Sequence, residues 1–159
     1  MTRLLAGGEP FLISGDRIGC LSTPLEMPRN GRTLLARPLS RLARYVPKGD
    51  PDRHDPAAAR GHVTYPVYPT RAVAELRDLI GDVRQILPKV SVPLLIIQVR
   101  GDETVPPDSM AVILEQAGST NKETLWLEDS GHVITHDLQR EEVFAATSGF
   151  IARTLGAPA

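Results

Sequence analysis

The sequence has very little cysteine and no excess of positive charge, and both shortages exclude classes of protein. Cys20 is the only cysteine among 159 residues, so the chain cannot form an internal disulfide or a thiolate metal cluster. The formal net charge of -1 lacks the basic excess that favours nucleic acid as a partner. No apolar run approaches the roughly 20 residues that span a bilayer, and "MTRLLAGGEPFLISGDRIG" lacks the apolar core of a secretion signal. We therefore expect a cytoplasmic protein without a membrane span.

The chain is long enough for one domain, and it divides into three sections. Hydrophobic residues make up 42% of it, and a chain near 150 residues buries roughly 70% of its unfolded surface. Residues 1–25 are expected to form short strands, "PFLI" and "RIGCL", around an "SGD" turn. Residues 26–69 hold half of the fourteen prolines and an arginine-rich piece interrupted at Pro38, which favours an irregular lid-like layer. Residues 70–159 complete this single domain.

Regular patterns begin at residue 70 and predict alternating helices and strands. Thr70 is the expected N-cap of a helix that ends at Pro88. The run "VPLLIIQVRGD" is typical of a strand buried on both faces of a parallel sheet. A helix over about 107–117, a strand "ETLWLED" and a helix over 138–154 follow, so an α/β fold with a small, mainly parallel sheet is expected. Apolar residues three or four positions apart define the buried face of the first helix: Val73, Leu76, Ile80, Val83 and Leu87.

Two polar loops leave the predicted strands at the same edge of the sheet. Asp102 lies in "RGDETVPP" just after one strand, and His132 lies in "EDSGHVITHD" just after the next. Catalytic groups gather at the carboxyl ends of parallel strands. An aspartate that accepts Nδ1–H from a histidine orients the ring and stabilises the imidazolium that forms when the ring takes a proton. These two residues are the candidate acid and base.

The two loops resemble those of α/β hydrolases, most closely bacterial carboxylesterases and monoacylglycerol-lipase-like proteins. "GDETVPPDS" matches the loop that carries the triad acid, and "SGHVITHD" matches the loop that carries the base. "LSTPLEMP" resembles the segment after the strand that follows the nucleophile helix, and residues 26–69 resemble the lid over an acyl pocket. The resemblance implies hydrolysis of short-to-medium acyl esters with Asp102 and His132 as triad members, and it implies no cofactor or metal.

The resemblance is incomplete because the nucleophile is missing from the matched pattern. The fold carries its serine in a G-x-S-x-G turn, and none of the thirteen glycines has a serine two positions later. The oxyanion loop, a His-Gly followed by an aromatic residue, is also missing, and "GDRIGCL" runs directly into "STPLEMP". The expectation is a truncated α/β-hydrolase fold, joined near Cys20, Leu21 and Ser22, that is inactive as this single chain.

The join predicts a particular strand pairing. A hybrid strand over Arg17–Ser22 is expected to pair with Leu94–Val99, which keeps the smaller sheet continuous. Its outer edge would then lie exposed, and an exposed edge invites pairing with a second copy of the chain. A homo-oligomer is therefore a further expectation.

Several alternatives remain open on the sequence alone. Cys20 or Ser22 lies near the end of the hybrid strand and is a candidate replacement nucleophile, although a lone cysteine is usually a small buried apolar residue. His132 and His136, with Asp129 and Asp137 nearby, have a spacing that zinc ligands use on helices, but the Ser-Gly opening argues against a helix. "GDPDRHDP" is interpreted as a solvated turn cluster. The competing class of function is a non-catalytic protein that binds a ligand in the lid crevice or a partner at the sheet edge.

Overall fold

A parallel sheet, three-stranded within the residues that the structure describes, forms the centre of the fold. The structure is a computed structural model that describes residues 16–27, 35–49, 52–61 and 65–155. The strand Leu94–Val99 lies between the other two strands, and all six of its residues are buried, as its uninterrupted apolar run predicts. The predicted strand "PFLI" lies outside the described residues. The sheet strands are β1 (Ile18–Leu21), β4 (Leu94–Val99) and β5 (Lys122–Leu127).

The predicted pairing of the hybrid strand is confirmed. Strand β1 runs parallel to β4 in a register that places Ile18 opposite Leu94 and Leu21 opposite Ile97. The ladder extends past the strand, since the N–H of Ser22 donates to the carbonyl oxygen of Ile97 at 2.9 Å. Within the described residues, no strand pairs with the other edge of β1.

Helices cover both faces of this sheet and create two apolar cores. They are α3 (Thr70–Ile86), α4 (Asp108–Gln116) and α5 (Arg140–Thr154), within two residues of the predicted bounds. Alternate residues of β4 point to opposite faces, so Ile96 packs in one core and Ile97 in the other. The first core is lined by Leu25, Leu87, Val90, Leu94, Ile96, Met110, Ile113 and Ala117. The second is lined by Leu95, Ile97, Val99, Leu127, Ile134, Val143 and Phe150.

Two details of α3 differ from the sequence prediction. Pro69 is the N-cap, and Thr70 is the first helical residue with a buried side chain. Leu76, expected on the buried face, is 41% exposed, whereas Ala74 is fully buried. The helix therefore presents a narrower buried stripe than its apolar spacing indicates. A 3-10 turn at Leu87–Lys89 ends it, at the predicted proline.

The lid section, residues 26–69, is more regular than predicted. Its described residues form two short helices, α1 (Ala36–Leu39) and α2 (Pro56–Gly61), and two three-residue strands, β2 (Tyr45–Pro47) and β3 (Val67–Pro69). The strands form an antiparallel ribbon that continues into α3. Pro38 does not interrupt a helix as expected, because it lies in the first turn of α1, where no backbone N–H is needed. No helix in the described ranges has the length and apolar character to cross a bilayer.

Candidate active site

Asp102 and His132 lie side by side at the carboxyl edge of the sheet. Strands β4 and β5 are parallel, so the loops that follow them leave the sheet at one edge. We call residues 100–107 the acid loop and residues 128–139 the base loop. The Nδ1 atom of His132 lies 3.1 Å from Oδ2 of Asp102, within hydrogen-bond distance. The two residues, thirty positions apart in sequence, thus meet as the strand order predicts.

The Asp102 carboxylate is held by its own loop and stays ionised. Its Oδ1 atom accepts N–H hydrogen bonds from Thr104 at 2.8 Å and Val105 at 2.7 Å. The side-chain amide nitrogen of Gln98 lies 3.4 Å from Oδ2 of Asp102, and the Asp102 side chain is fully buried. Burial alone would raise the pKa of Asp102, but hydrogen bonds from the His132 ring and from the two loop N–H groups lower it overall. The carboxylate therefore faces Nδ1 as an acceptor at neutral pH.

The base loop is closed on itself and leaves the ring of His132 accessible. The Gln139 side-chain oxygen accepts N–H bonds from Glu128 and Asp129, and the Gln139 N–H donates to the hydroxyl of buried Ser130. The His132 side chain is 32% exposed. One side of the imidazole thus faces a buried anion, and the ring still has contact with solvent. This arrangement suits a base that exchanges protons with a bound molecule.

Two carboxylates outside the predicted acid–base pair accept hydrogen bonds from these loops. Asp52 accepts the backbone N–H of Glu103 at 3.0 Å and of His132 at 3.2 Å. Asp137 has no exposed surface and accepts backbone N–H groups from both the base loop and the lid. The described part of "GDPDRHDP", from Asp52 onward, is therefore more than a solvated turn cluster, because it contacts both the acid loop and the base loop. The cluster of three aspartates beside His54 was the signal in the sequence that could have indicated a contact with the site.

The two candidate replacement nucleophiles lie on β1 and directly after it. Cys20 packs against the first apolar core, and burial raises the pKa of its thiol, which a hydrogen bond with Thr23 only partly offsets. A raised pKa disfavours the nucleophilic thiolate. Ser22 follows β1 at the same sheet edge as Asp102, but it is only 4% exposed. Its hydroxyl has no hydrogen-bond partner in the described part of the chain.

Ser22 also has a strained backbone, which makes a stability prediction possible. Its φ of 42° is the only positive value for a non-glycine residue in the described ranges. That conformation costs roughly 1–2 kcal/mol for a residue with a Cβ atom, and glycine itself loses about 0.5–1 kcal/mol of chain entropy. Because the unpaired buried hydroxyl is also unfavourable, Ser22→Gly should raise the unfolding free energy by about 1 kcal/mol in urea denaturation.

Ser22→Ala is the matched control, since it removes the hydroxyl and keeps the strained φ. We expect it to stabilise the chain less than Ser22→Gly does. A glycine variant that is less stable than the alanine variant would contradict the strain argument.

The base loop does not present a histidine pair on one helical face. His136 lies in a 3-10 turn, Ile134–His136, and the intervening Ile134 is buried in the second core. Both oxygens of Asp137 accept backbone N–H groups. Among the described residues, no group of three or more His, Cys, Asp or Glu side chains is placed to hold a metal ion.

Known proteins match parts of this chain in sequence. A carboxylesterase from Bacillus subtilis (strain 168) is 32% identical over 85 residues, which are 54% of this chain and 35% of the relative. A thermostable monoacylglycerol lipase from Bacillus sp. (strain H-257) is 28% identical over 115 residues, which are 72% of this chain and 45% of the relative. The chain thus spans less than half the length of either relative. No family model matches it.

Solved structures match over a larger share of the chain. One, from a study of the metagenome-derived lipolytic enzymes LipS and LipT, has a TM-score of 0.78 and 31% identity over 87% of this chain and 55% of its own. The monoacylglycerol lipase of Paleococcus ferrophilus has a TM-score of 0.71 at 16% identity, covering 86% of this chain and 59% of its own, and supports the fold alone. The fold is thus truncated relative to these structures. In sequence and in structure the chain is thus similar to carboxylesterases and monoacylglycerol lipases, and its fold is that of α/β hydrolases.

Proposed function

We propose that Asp102 and His132 are the acid and base of a carboxylic ester hydrolase site. The observation that carries the proposal is the 3.1 Å approach of His132 Nδ1 to a buried Asp102 carboxylate. The relatives named as a carboxylesterase and a monoacylglycerol lipase support carboxylic esters as the substrate class. A preference for short or medium acyl chains is implied only by the resemblance of the two loops. The roles proposed for Asp102 and His132 call for neither a metal nor an organic cofactor.

The proposed roles follow from the hydrogen bonding of the pair. With Nδ1–H donated to Asp102, the Nε2 atom of His132 is free to take the proton of a serine hydroxyl as that oxygen attacks the acyl carbonyl. The imidazolium that results is stabilised by the Asp102 charge. His132 then returns the proton to the departing alcohol oxygen, and a water molecule activated in the same way hydrolyses the acyl-serine ester. Asp102 remains ionised throughout.

The nucleophile is the component that this chain does not supply in the expected form. The 159 residues contain no G-x-S-x-G pentapeptide, and this fold presents its serine on that turn. Loss of the nucleophile lowers turnover of a serine hydrolase by about a million-fold. We therefore infer that the chain, tested alone, does not turn over esters.

A covalent probe tests this inference directly. The purified chain should show no labelling by a fluorophosphonate and no hydrolysis of a p-nitrophenyl acyl ester above the rate of His132→Ala. The reason is that a base without a positioned nucleophile cannot form the covalent ester. Intact mass and release of p-nitrophenol are the measurements.

Cys20→Ala and Ser22→Ala are the controls for a replacement nucleophile. Labelling of the parent chain that disappears in Ser22→Ala would contradict the inference and assign the role to Ser22. Labelling that survives both substitutions would point to adventitious modification elsewhere.

A second candidate function is non-catalytic binding, and two features of the described residues favour it. The outer edge of β1 is unpaired, and an open edge can recruit a further strand or a second copy of the chain. A cleft of about 1050 Å³ also lies between the lid and α3. Under this candidate the chain binds an acyl ester without hydrolysing it, and the probe experiment finds neither labelling nor turnover although the ester binds. The cleft is lined by Arg37, Pro38, Ser40, Arg41, Leu42, Arg44, Tyr45, Pro69, Arg71 and Glu75.

A further inference from the structure

We propose that Asp52 and Asp137 are positioning residues that join the lid to the acid and base loops, so that the lid holds His132 against Asp102. The part of the lid involved is residues 52–55, which we call the strap. The inference deepens the proposed function and rests on it, because a positioning role presupposes that the His132–Asp102 pair is the site.

The Asp52 carboxylate connects the two loops through a single atom. Its Oδ2 accepts the N–H of Glu103, directly after Asp102, at 3.0 Å. The same oxygen accepts the N–H of His132 at 3.2 Å. A carboxylate oxygen that accepts from both loops limits how far the loops can separate. The separation between the Asp102 carboxylate and the His132 ring is limited in the same way.

Asp137 makes the reciprocal connection from the base loop to the strap. It accepts strap N–H groups from His54 at 3.0 Å and Asp55 at 2.7 Å. It also accepts the N–H of Gly131, directly before His132, at 2.8 Å. Burial alone would raise the pKa of Asp137, but these backbone N–H groups and that of Leu138 lower it overall, so the carboxylate remains a charged acceptor.

The two carboxylates close a ring of contacts around His132. The lid carboxylate binds the N–H of His132, and the base-loop carboxylate binds the N–H of Gly131 together with the strap. An ion pair between Asp55 and Arg140 at 3.4 Å fixes the strap to α5 as well. Charge-assisted hydrogen bonds to backbone N–H groups are shorter and stronger than neutral ones. The strap thus functions as a fixed support of the acid–base pair rather than as a mobile cover.

The two oxygens of each carboxylate are used differently, and this gives a sharp test. Only Oδ2 of Asp52 accepts in the described contacts, so the carbonyl oxygen of an asparagine can replace it without the charge. Both oxygens of Asp137 accept, so one of them becomes an NH₂ group in Asp137→Asn and faces an N–H. Asp52→Asn should therefore keep the Nδ1–H tautomer of His132 that Asp52→Ala loses. Asp137→Asn, by contrast, should lose this tautomer as Asp137→Ala does.

The measurement is the fraction of neutral His132 that carries its proton on Nδ1, from long-range ¹H–¹⁵N NMR of the ring-labelled chain. In Asp52→Ala this fraction should fall toward that of a solvated histidine, and the His132 amide should exchange about tenfold faster or more. Asp52→Asn should keep the parental values of both. If the alanine variant does not fold, Asp52→Glu displaces the acceptor by one methylene and should lower the same fraction.

Each outcome decides between positioning and its alternatives. Equal losses in Asp52→Ala and Asp52→Asn would show that an acceptor oxygen at this position does not hold His132, and would overturn the inference. An unchanged Nδ1–H fraction in Asp52→Ala, with the fold intact by circular dichroism, would show a structural role only and would also overturn it. Asp102→Asn is the reference for the proposed function. If Asp102→Asn changes the ring tautomer and the Asp52 variants do not, the positioning role of Asp52 is disproved and the proposed function stands. If Asp102→Asn leaves the tautomer unchanged, the proposed function itself is disproved.

Discussion

In Asp102→Asn, the neutral imidazole of His132 should carry its proton on Nε2 rather than on Nδ1. The orientation of the new amide is determined by the acid loop. The Oδ1 position accepts N–H groups from Thr104 and Val105, so the asparagine carbonyl takes that position and the NH₂ takes the position of Oδ2. An NH₂ group 3.1 Å from Nδ1 can only donate to it. The ring must then hold its proton on the other nitrogen.

The same change in a serine protease triad lowers kcat by about 10⁴-fold, because the histidine is then held in the wrong tautomer. Here the effect is measurable without a nucleophile, from the ¹⁵N shifts of the two ring nitrogens at a pH where the ring is neutral. Asp129→Asn is the matched control, because it removes an exposed carboxylate from the same loop and should leave the tautomer unchanged. A ring that stays protonated on Nδ1 in Asp102→Asn would disprove the acid assignment.

The sheet is the part of the fold that the sequence predicts most closely, because its signals do not depend on distant residues. Leu94–Val99 is an uninterrupted apolar run, and a strand buried on both faces has few alternatives once its length is too short for a helix. The pairing of Ile18–Leu21 with this strand follows from the resemblance, which locates the join at the end of β1. Both predictions therefore rest on contiguous residues.

The lid was predicted poorly because its strands are too short to have a pattern. Tyr45–Pro47 and Val67–Pro69 have three residues each, and each ends in a proline that reads as a loop signal. Their pairing forms only between segments about twenty positions apart. Thr70 has the residue type of a cap, but Pro69 occupies that position. For the two strands, tertiary pairing thus outweighs local propensity.

The residues of the site also fall into a group that the sequence predicts and a group that it does not. Asp102 and His132 were identifiable because each follows a predicted strand of a parallel sheet. Asp52 and Asp137 were not identifiable as parts of the site, because their hydrogen-bond partners are backbone N–H groups. Every residue except proline has such a group, so the residue type of the partner gives no signal in the sequence. Their bonds span 80 positions from Asp52 to His132 and 82 from Asp137 to Asp55. Only the fold brings these groups together.

The glycine of the "SGH" motif provides the second large prediction, since its lack of a side chain lets the strap reach the base loop. A Cβ atom at Gly131 would lie 2.5 Å from the carbonyl carbon of Asp52 and 2.8 Å from the backbone nitrogen of Arg53. Backbone atoms cannot rotate away as a flexible side chain can. Gly131→Ala must therefore displace the strap and break its bonds to Asp137, at a cost of about 3 kcal/mol of unfolding free energy.

Gly101 is the matched control, because it precedes Asp102 as Gly131 precedes His132. A Cβ atom at Gly101 would meet nothing within 4 Å, and the backbone there is not left-handed. Gly101→Ala should thus be neutral, or stabilising by up to about 1 kcal/mol through the unfolded chain. Urea unfolding followed by circular dichroism gives both values. Equal effects of the two substitutions would show that the strap does not press on the base loop, whereas a loss confined to Gly131→Ala identifies that glycine as the point where lid and site meet.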